Sequence, residues 1–314
     1  MAIIGLIMVL IGGMRVEENR EAAVAALLNS SLWESVPGDM LKGCIAMYRA
    51  TGEEQYKTAV LLHLYSILLT KWRLPSNHAW FSCYGGYGNA LLFALDETGD
   101  ERFQTAAGEI FDLFRPRIDP GDYRVRPYLD KSEVGSMAAF LTAYDTRFGK
   151  KQVYKEIARR FSDAHRMFFA PDEGHYCIPE LRQAGEGAFS DDGVMLCALI
   201  DTLESMDMQI YEHWRSLADQ FLTAVQGLTR HLGRSGVLRS MVEAPDDIAS
   251  ARVLYALHKG VRLKLLDEEK YLPIAADSYA AWRKELNERT LCMDIEGACM
   301  MANGEMKMGE EKRK

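Results

Sequence analysis

The sequence lacks the signatures of most common chemistries. Its six cysteines, at 44, 83, 177, 197, 292 and 299, form no CxxC pair and no histidine–cysteine cluster at zinc spacing. That excludes a disulfide framework and a structural metal, and it makes reduced thiols and a cytoplasmic location the expectation. There is no basic excess either: 45 acidic residues against 37 basic ones give a formal charge of −8. Nucleic acid and anionic membranes, which want a basic face, are therefore not expected partners. No Ser-His-Asp order and no GxSxG elbow supports nucleophilic acyl chemistry. The glycines of YGGYG at 84–88 follow no strand and precede no GK[ST], so they read as room for a helix to start close to its neighbours rather than as a phosphate loop. No apolar run is long enough to cross a bilayer. The opening MAIIGLIMVLIGG falls short of a span and lacks a basic n-region and a cleavage pattern, so residues 1–16 are expected to be a buried lead-in or an over-extended translation start. No cofactor or metal is expected.

What the chain has instead is a repeat. With 314 residues and 48% apolar content it can bury a large core. One unit recurs five times: an apolar helix, a short turn, and a second helix that begins at an aromatic anchor. The copies are MLKGCIAMYRATGEEQY, ALLFALDETGDERF, AAFLTAYDTRFGKKQVY, MLCALIDTLESMDMQIY and VLYALHKGVRLKLLDEEKY, with anchors Tyr56, Phe103, Tyr154, Tyr211 and Tyr271. In the second helices Tyr154, Ile157, Phe161, Ala164 and Phe168 fall on one stripe at helical period. The first helices, such as GNALLFAL and VMLCALI, are apolar nearly all round and must be buried. An inner ring of first helices within an outer ring of second helices follows.

The connections are unequal. Within a pair the turns are short, as in TGEE and TGDE, where glycine supplies a left-handed helix stop. Between pairs the chain runs through long segments at 73–84, 116–130, 170–188 and 232–245. Loops of such length in a compact domain carry function as a rule. All lead into inner-helix N-termini, so they gather at one end of the ring, where helix dipoles favour anions. Trp33 and Pro37-Gly38 introduce an earlier copy, and residues 17–29 read as a further helix. Eleven helices are counted, one short of six closed pairs. The expected organisation is one all-α domain over 17–300 and a charged, disordered tail over 301–314.

The stretches LWESVPGDMLKGCIAMYRATGEEQY, YGNALLFALDETGDERF, FLTAYDTRFG with FAPDEGHY, DDGVMLCALIDTLE, and ARVLYALHKGVRLKLLDEEKYLPIAADSYAAW run from Leu32 to Trp282. They resemble the unsaturated rhamnogalacturonyl and unsaturated glucuronyl hydrolases, glycoside hydrolase families 105 and 88, which form (α/α)6 barrels. The resemblance implies that barrel, a small oligosaccharide substrate, and an aspartate in a Trp-x-Asp motif that protonates the C4–C5 enol ether of an unsaturated uronic acid. Water then adds at C5 and the ring opens. Setting Phe140 and Tyr144 on their family counterparts without a gap puts Ser132 at that aspartate, with Glu133 beside it; a two-residue shift brings Asp130 there. A second family aspartate falls on Cys83, and the family's Arg-Gly-Asn-Gly-Trp falls on Ser190, Asp191, Asp192, Gly193 and Val194. Three functions therefore stand side by side: an unsaturated uronyl hydrolase, a silent descendant that binds a sugar or a partner, and an epimerase or other hydrolase on the same barrel.

The candidate residues follow from position and type. Carboxyl groups at inner-helix starts are Asp39, Asp130 with Glu133, Asp191 with Asp192, and Asp246 with Asp247. Burial or a neighbouring carboxylate can keep one protonated for acid catalysis, while each also suits an ordinary N-cap. Asp130 or Glu133 is the expected acid, with Asp191 or Asp192 helping to position water, and Asp246 and Asp247 join the substrate-binding set. Trp33, Trp80, Tyr84, Tyr87, Tyr128 and Tyr176 lie in or beside the long loops, where aromatic faces can stack on sugar rings. Arg124, Arg126 and Lys131 could pair a substrate carboxylate, and His78 and His175 could donate hydrogen bonds. His63, His165, Trp72, Trp214 and Trp282 fall within outer helices and read as packing.

Overall fold

In the computed structural model, the residues described are 38–69, 81–118, 131–176, 190–232, 238, 247–286 and 293–311. They form eleven helices and one short strand pair. Helices α1 (Gly38–Thr51), α3 (Phe81–Thr98), α5 (Lys131–Phe148), α7 (Ser190–Ser205), α9 (Asp247–Arg262) and α11 (Met293–Glu311) pack side by side in that order, and α11 returns to α1. The inner ring therefore closes with six members. Helices α2 (Glu54–Leu69), α4 (Glu101–Ile118), α6 (Tyr154–Phe168), α8 (Tyr211–His231) and α10 (Glu268–Leu286) each follow an inner helix and pack on it or beside it. This is the (α/α)6 arrangement, and no described helix is long and apolar enough to cross a membrane.

The closure corrects one expectation. Residues 301–311 are not a disordered tail but the second half of α11, with Met301, Ala302, Asn303 and Glu305 buried. The described residues hold eleven helices, the number expected, and α11 is the sixth inner one. Glycine explains how α11 comes so close: a Cβ on Gly43 would lie 2.6 Å from the Gly297 carbonyl oxygen, and one on Gly297 would lie 2.6 Å from the Met40 nitrogen. The methionines and glycines of α11 hid this packing helix from a search for long aliphatic side chains. Residues 1–16 and the helix expected over 17–29 lie outside the described residues.

Sequence explains the concentric layers. In α7 the run Met195–Ile200 is buried throughout, so this helix has no solvent face, whereas α6 buries Tyr154, Ile157, Phe161 and Ala164 along one stripe. Four of the five repeat anchors, Tyr56, Phe103, Tyr154 and Tyr271, are buried, each contributing roughly 1.5–3 kcal/mol by removal from water. Tyr211 departs from the pattern and is 54% exposed. Its neighbour Ile210 packs on the core instead, and the apolar face of α8 begins in earnest at Leu217.

The turns within pairs behave as their residues dictate. Gly52 and Gly99 both sit at φ +69 and donate from their N–H groups to the carbonyls of Tyr48 and Leu95 at 2.8 Å. Asp100 accepts from the Arg102 N–H at 3.0 Å and Asp207 from the Gln209 N–H at 2.9 Å, satisfying donors at the starts of outer helices. These tight stops make every inner helix run the same way. At one end Arg252, in the second turn of α9, bonds Asp39, the second residue of α1. At the other end Arg262 closes α9 against Glu305 of α11 and Glu204 of α7, and Arg147 of α5 bonds Asp96 of α3. Starts meet starts and ends meet ends, so the ring has a mouth of N-termini and a floor of C-termini.

Candidate active site

The mouth takes shape where a hairpin folds in beside α7. Strands β1 (Phe169–Ala170) and β2 (His175–Tyr176) pair antiparallel at the start of the segment 170–188 expected to be loop throughout. Gly174, at φ +75, makes the reversal, and the hairpin passes so close to Gly227 of α8 that neither position has room for a side chain. This places Asp192, in the first turn of α7, against β2. Its Oδ1 accepts from the Tyr176 N–H at 2.6 Å, and its Oδ2 lies 3.5 Å from His175 Nδ1.

His175 is half-buried between two carboxylates. On its other side Nε2 lies 3.2 Å from Glu173 Oε2. The hydrogen bond with Asp192, against the opposing effect of burial, raises the imidazole above its ordinary value. The shift favours the imidazolium form, which can donate hydrogen bonds or hold an anion. His231 bonds the Glu173 carbonyl through Nε2 at 2.6 Å and stands edge-on to His175 with ring centroids 5.2 Å apart. Tyr176 is buried with its hydroxyl 2.9 Å from His165 Nδ1. Burial, with Asp192 nearby, keeps its phenol from ionising, and its role is to anchor the hairpin.

Other mouth residues are tied to structural partners. Asp247, expected to bind substrate, accepts from Nε1 of the buried Trp282 at 3.2 Å. Asp39 is held by Arg252, with Nε at 2.8 Å and the terminal nitrogen at 2.7 Å. The sequence reading missed Arg252. Its signal was a cation early in ARVLYALHK, an inner helix otherwise of small and apolar residues there; the neighbouring Gly193 lets it approach, since a Cβ there would sit 3.0 Å from the Arg252 Cβ. Tyr87, placed among loop aromatics, is fully buried and its hydroxyl lies 2.8 Å from His63 Nε2.

Tyr84, Glu133 and Asp191 belong by backbone to the first turns of α3, α5 and α7, as do Cys83 and Ser132; nothing is described of their side chains. Trp33, His78, Trp80, Arg124, Arg126, Tyr128, Asp130 and Asp246 lie outside the described residues. Of the sequence-derived set, the structure brings His175, Tyr176 and Asp192 together and places Asp247 in the first turn of α9. No group of three or more potential metal ligands occurs among the described residues.

The family model described as Glycosyl Hydrolase Family 88 matches residues 9–307. Among solved structures the chain is similar to a family 105 glycoside hydrolase of C. acetobutylicum ATCC 824, at 16% identity and TM-score 0.72, covering 90% of this chain and 95% of that one. It is similar to a family 88 glycosyl hydrolase from Bacteroides vulgatus, at 12% identity and TM-score 0.71, covering 94% and 100%. A third, the GH76A α-1,6-mannanase from Salegentibacter sp. HEL1_6, aligns at 11% identity and TM-score 0.60 over 89% and 90%. At these identities the structural likeness speaks for the fold. No curated protein matches the chain.

Proposed function

We infer the reaction from one premise: this chain belongs to glycosyl hydrolase family 88, a family of carbohydrate hydrolases. The substrate proposed is an oligosaccharide ending in a 4,5-unsaturated uronyl residue, rhamnogalacturonyl or glucuronyl. Glu133, in the first turn of α5, or Asp130, just before it in sequence, gives its proton to C4 of the enol ether. Water, positioned by Asp191 or Asp192, adds through its oxygen at C5 and yields its own proton to a mouth carboxylate. The ring then opens. The observation that carries this reading is the buried Asp192, 3.5 Å from His175, in the first turn of an inner helix at the same end as the start of α5. His175 supplies a cation for the uronate carboxylate where the family's arginine falls on Ser190. Arg124 and Arg126 are proposed to share that task, and His78, Trp33, Trp80, Tyr84 and Tyr128 to line the sugar.

A second reading has its own support. Asp192, Asp39 and Asp247 each already serve a protein donor, as they would in a silent descendant that binds sugar without turning it over. One experiment separates the two. Incubation with unsaturated uronyl disaccharides, following the enol-ether ultraviolet absorbance, is expected to show loss of signal. Asp130→Asn, Glu133→Gln and Asp192→Asn are expected to lower the rate, by about a hundredfold or more for the true acid. A flat absorbance at high enzyme concentration rejects hydrolysis of these substrates, and saturable binding of the same disaccharides without turnover favours the silent reading.

A further inference from the structure

A cavity lies at the floor of the ring, at the opposite end from the mouth. Its volume is about 320 Å³, within the range of roughly 300–1,000 Å³ typical of small-molecule sites. It is lined by all six inner helices, mostly by their later turns, and small residues such as Gly86, Ala46, Ala139 and Ala143 leave the space open. Five cations and four carboxylates reach it: Lys42, Arg49, Arg147, Lys259 and Arg262 against Asp96, Asp201, Glu204 and Glu305.

The pairing within this set is uneven. Asp201 receives the Tyr255 hydroxyl at 2.5 Å, Lys259 at 2.6 Å, and Lys42. Glu204 is held by Lys259 at 2.6 Å and Arg262 at 2.8 Å, and Glu305 by Arg262 through two bonds. Arg147 takes both oxygens of Asp96. Every carboxylate is thus matched, while two cations keep donors to spare. Among the described residues Lys42 pairs with Asp201 alone, and it stands 4.6 Å over the Tyr255 ring. Arg49 is exposed and pairs with no carboxylate among the described residues; its only ring contact is Phe93 at 5.9 Å. Being seven residues apart on α1, the two share one face about 10 Å apart along the axis.

We propose that this floor cavity is a binding site for a small hydroxylated carboxylate, of monosaccharide size, held by Arg49 and Lys42. The charge surplus calls for one negative charge. Asp96 and Glu204 line the cavity with partly exposed side chains, so their carboxylates can accept hydroxyl protons beside their present partners, whereas a multiply charged anion would be repelled by four nearby carboxylates. Stability alone does not account for the lining, since a buried ion network is often no better than apolar packing of the same volume. The site is separate from the mouth chemistry and does not depend on it.

The test uses the whole chain and titration calorimetry with D-glucuronate, D-glucose and inorganic phosphate. D-Glucuronate is expected to bind saturably, with glucose and phosphate each weaker by about tenfold or more, the worth of one charge-assisted hydrogen bond. Arg49→Gln and Lys42→Gln are each expected to lower that affinity about tenfold, while Arg215→Gln, exposed on the outer helix α8, leaves it unchanged to about twofold, as distant sites do. Arg49 is exposed, so its variant keeps the fold and decides the matter even where Lys42→Gln does not. Absence of saturable glucuronate binding, binding abolished by Asp192→Asn but not by Arg49→Gln, or phosphate binding as tightly as glucuronate would each overturn the proposal. D-Glucuronate has no enol ether, so failure here is distinct from failure of the hydrolysis assay.

Discussion

Replacing Glu204 by Gln probes the floor network through its acid response. Burial opposes ionisation of this carboxyl, but the charges of Lys259 and Arg262 outweigh it and bring the group from its ordinary 4.5 down to about 2. Each pH unit between folded and unfolded values is worth about 1.4 kcal/mol, so the gap sets a ceiling of about 3 kcal/mol. A third of the Glu204 side chain is exposed, and solvent screening reduces the figure to about 1–2 kcal/mol. The sign follows from the direction. A depressed carboxyl stabilises the fold above pH 4.5 and loses that contribution as pH falls from there through about 2. Glu204→Gln should therefore lower stability at pH 7 by about 1–2 kcal/mol, while Lys259 keeps Asp201 and Arg262 keeps Glu305. Urea unfolding at pH 7 and pH 3 reads both effects: the wild-type protein should lose more on acidification than the variant. Equal stability at pH 7 with equal acid sensitivity would refute the claim that Glu204 is held ionised by its two cations.

Two further outcomes follow from the mouth and from the ring closure. Asp192→Asn removes the partner that raises His175, so in histidine NMR titrations its pKa should fall. The present pair stabilises the fold fully below the unfolded histidine value and loses its contribution as pH rises through the folded one, a dependence that the variant should lack. An unmoved His175 titration would show that Asp192 does not govern it. Gly297→Val forces a side chain onto the Met40 backbone and should cost about 1–3 kcal/mol by overpacking. A thermal midpoint within a degree of wild type would argue that α11 does not close the ring.

The fold was legible because its signals are local and repeated. Apolar helix, Gly-Asp turn and aromatic anchor need no long-range information, and Gly52, Gly99, Tyr56, Phe103 and Tyr154 fulfil the pattern. The strand pair around Gly174 escaped, since two residues per strand carry no alternation to detect. Helix α11 escaped for a different reason: Gly297 and Gly304 make it an inner helix by what they lack, and its methionines and charged end resemble a frayed terminus. The site was legible only in part. His175 and Asp192 could be named, but the ion pair between Asp39 and Arg252 joins residues 213 positions apart, and nothing in either neighbourhood announces it.

The floor carries the same lesson one step further, because helix geometry explains why charge gathers there. Six parallel inner helices bring their C-terminal carbonyls to one end, and the partial negative charge of those ends favours cations in the last turns. Arg49, Arg147, Lys259 and Arg262 occupy the last turns of three of these helices. Repulsion among so many cations is relieved by Asp96, Asp201, Glu204 and Glu305, which bridge neighbouring helices. Lys42 is not explained this way. It lies in the second turn of α1, far from the helix end, yet it points into the same cavity and meets Asp201. Helix termination therefore accounts for the rim of the floor but not for its depth, and Lys42 is the residue whose placement asks for a ligand.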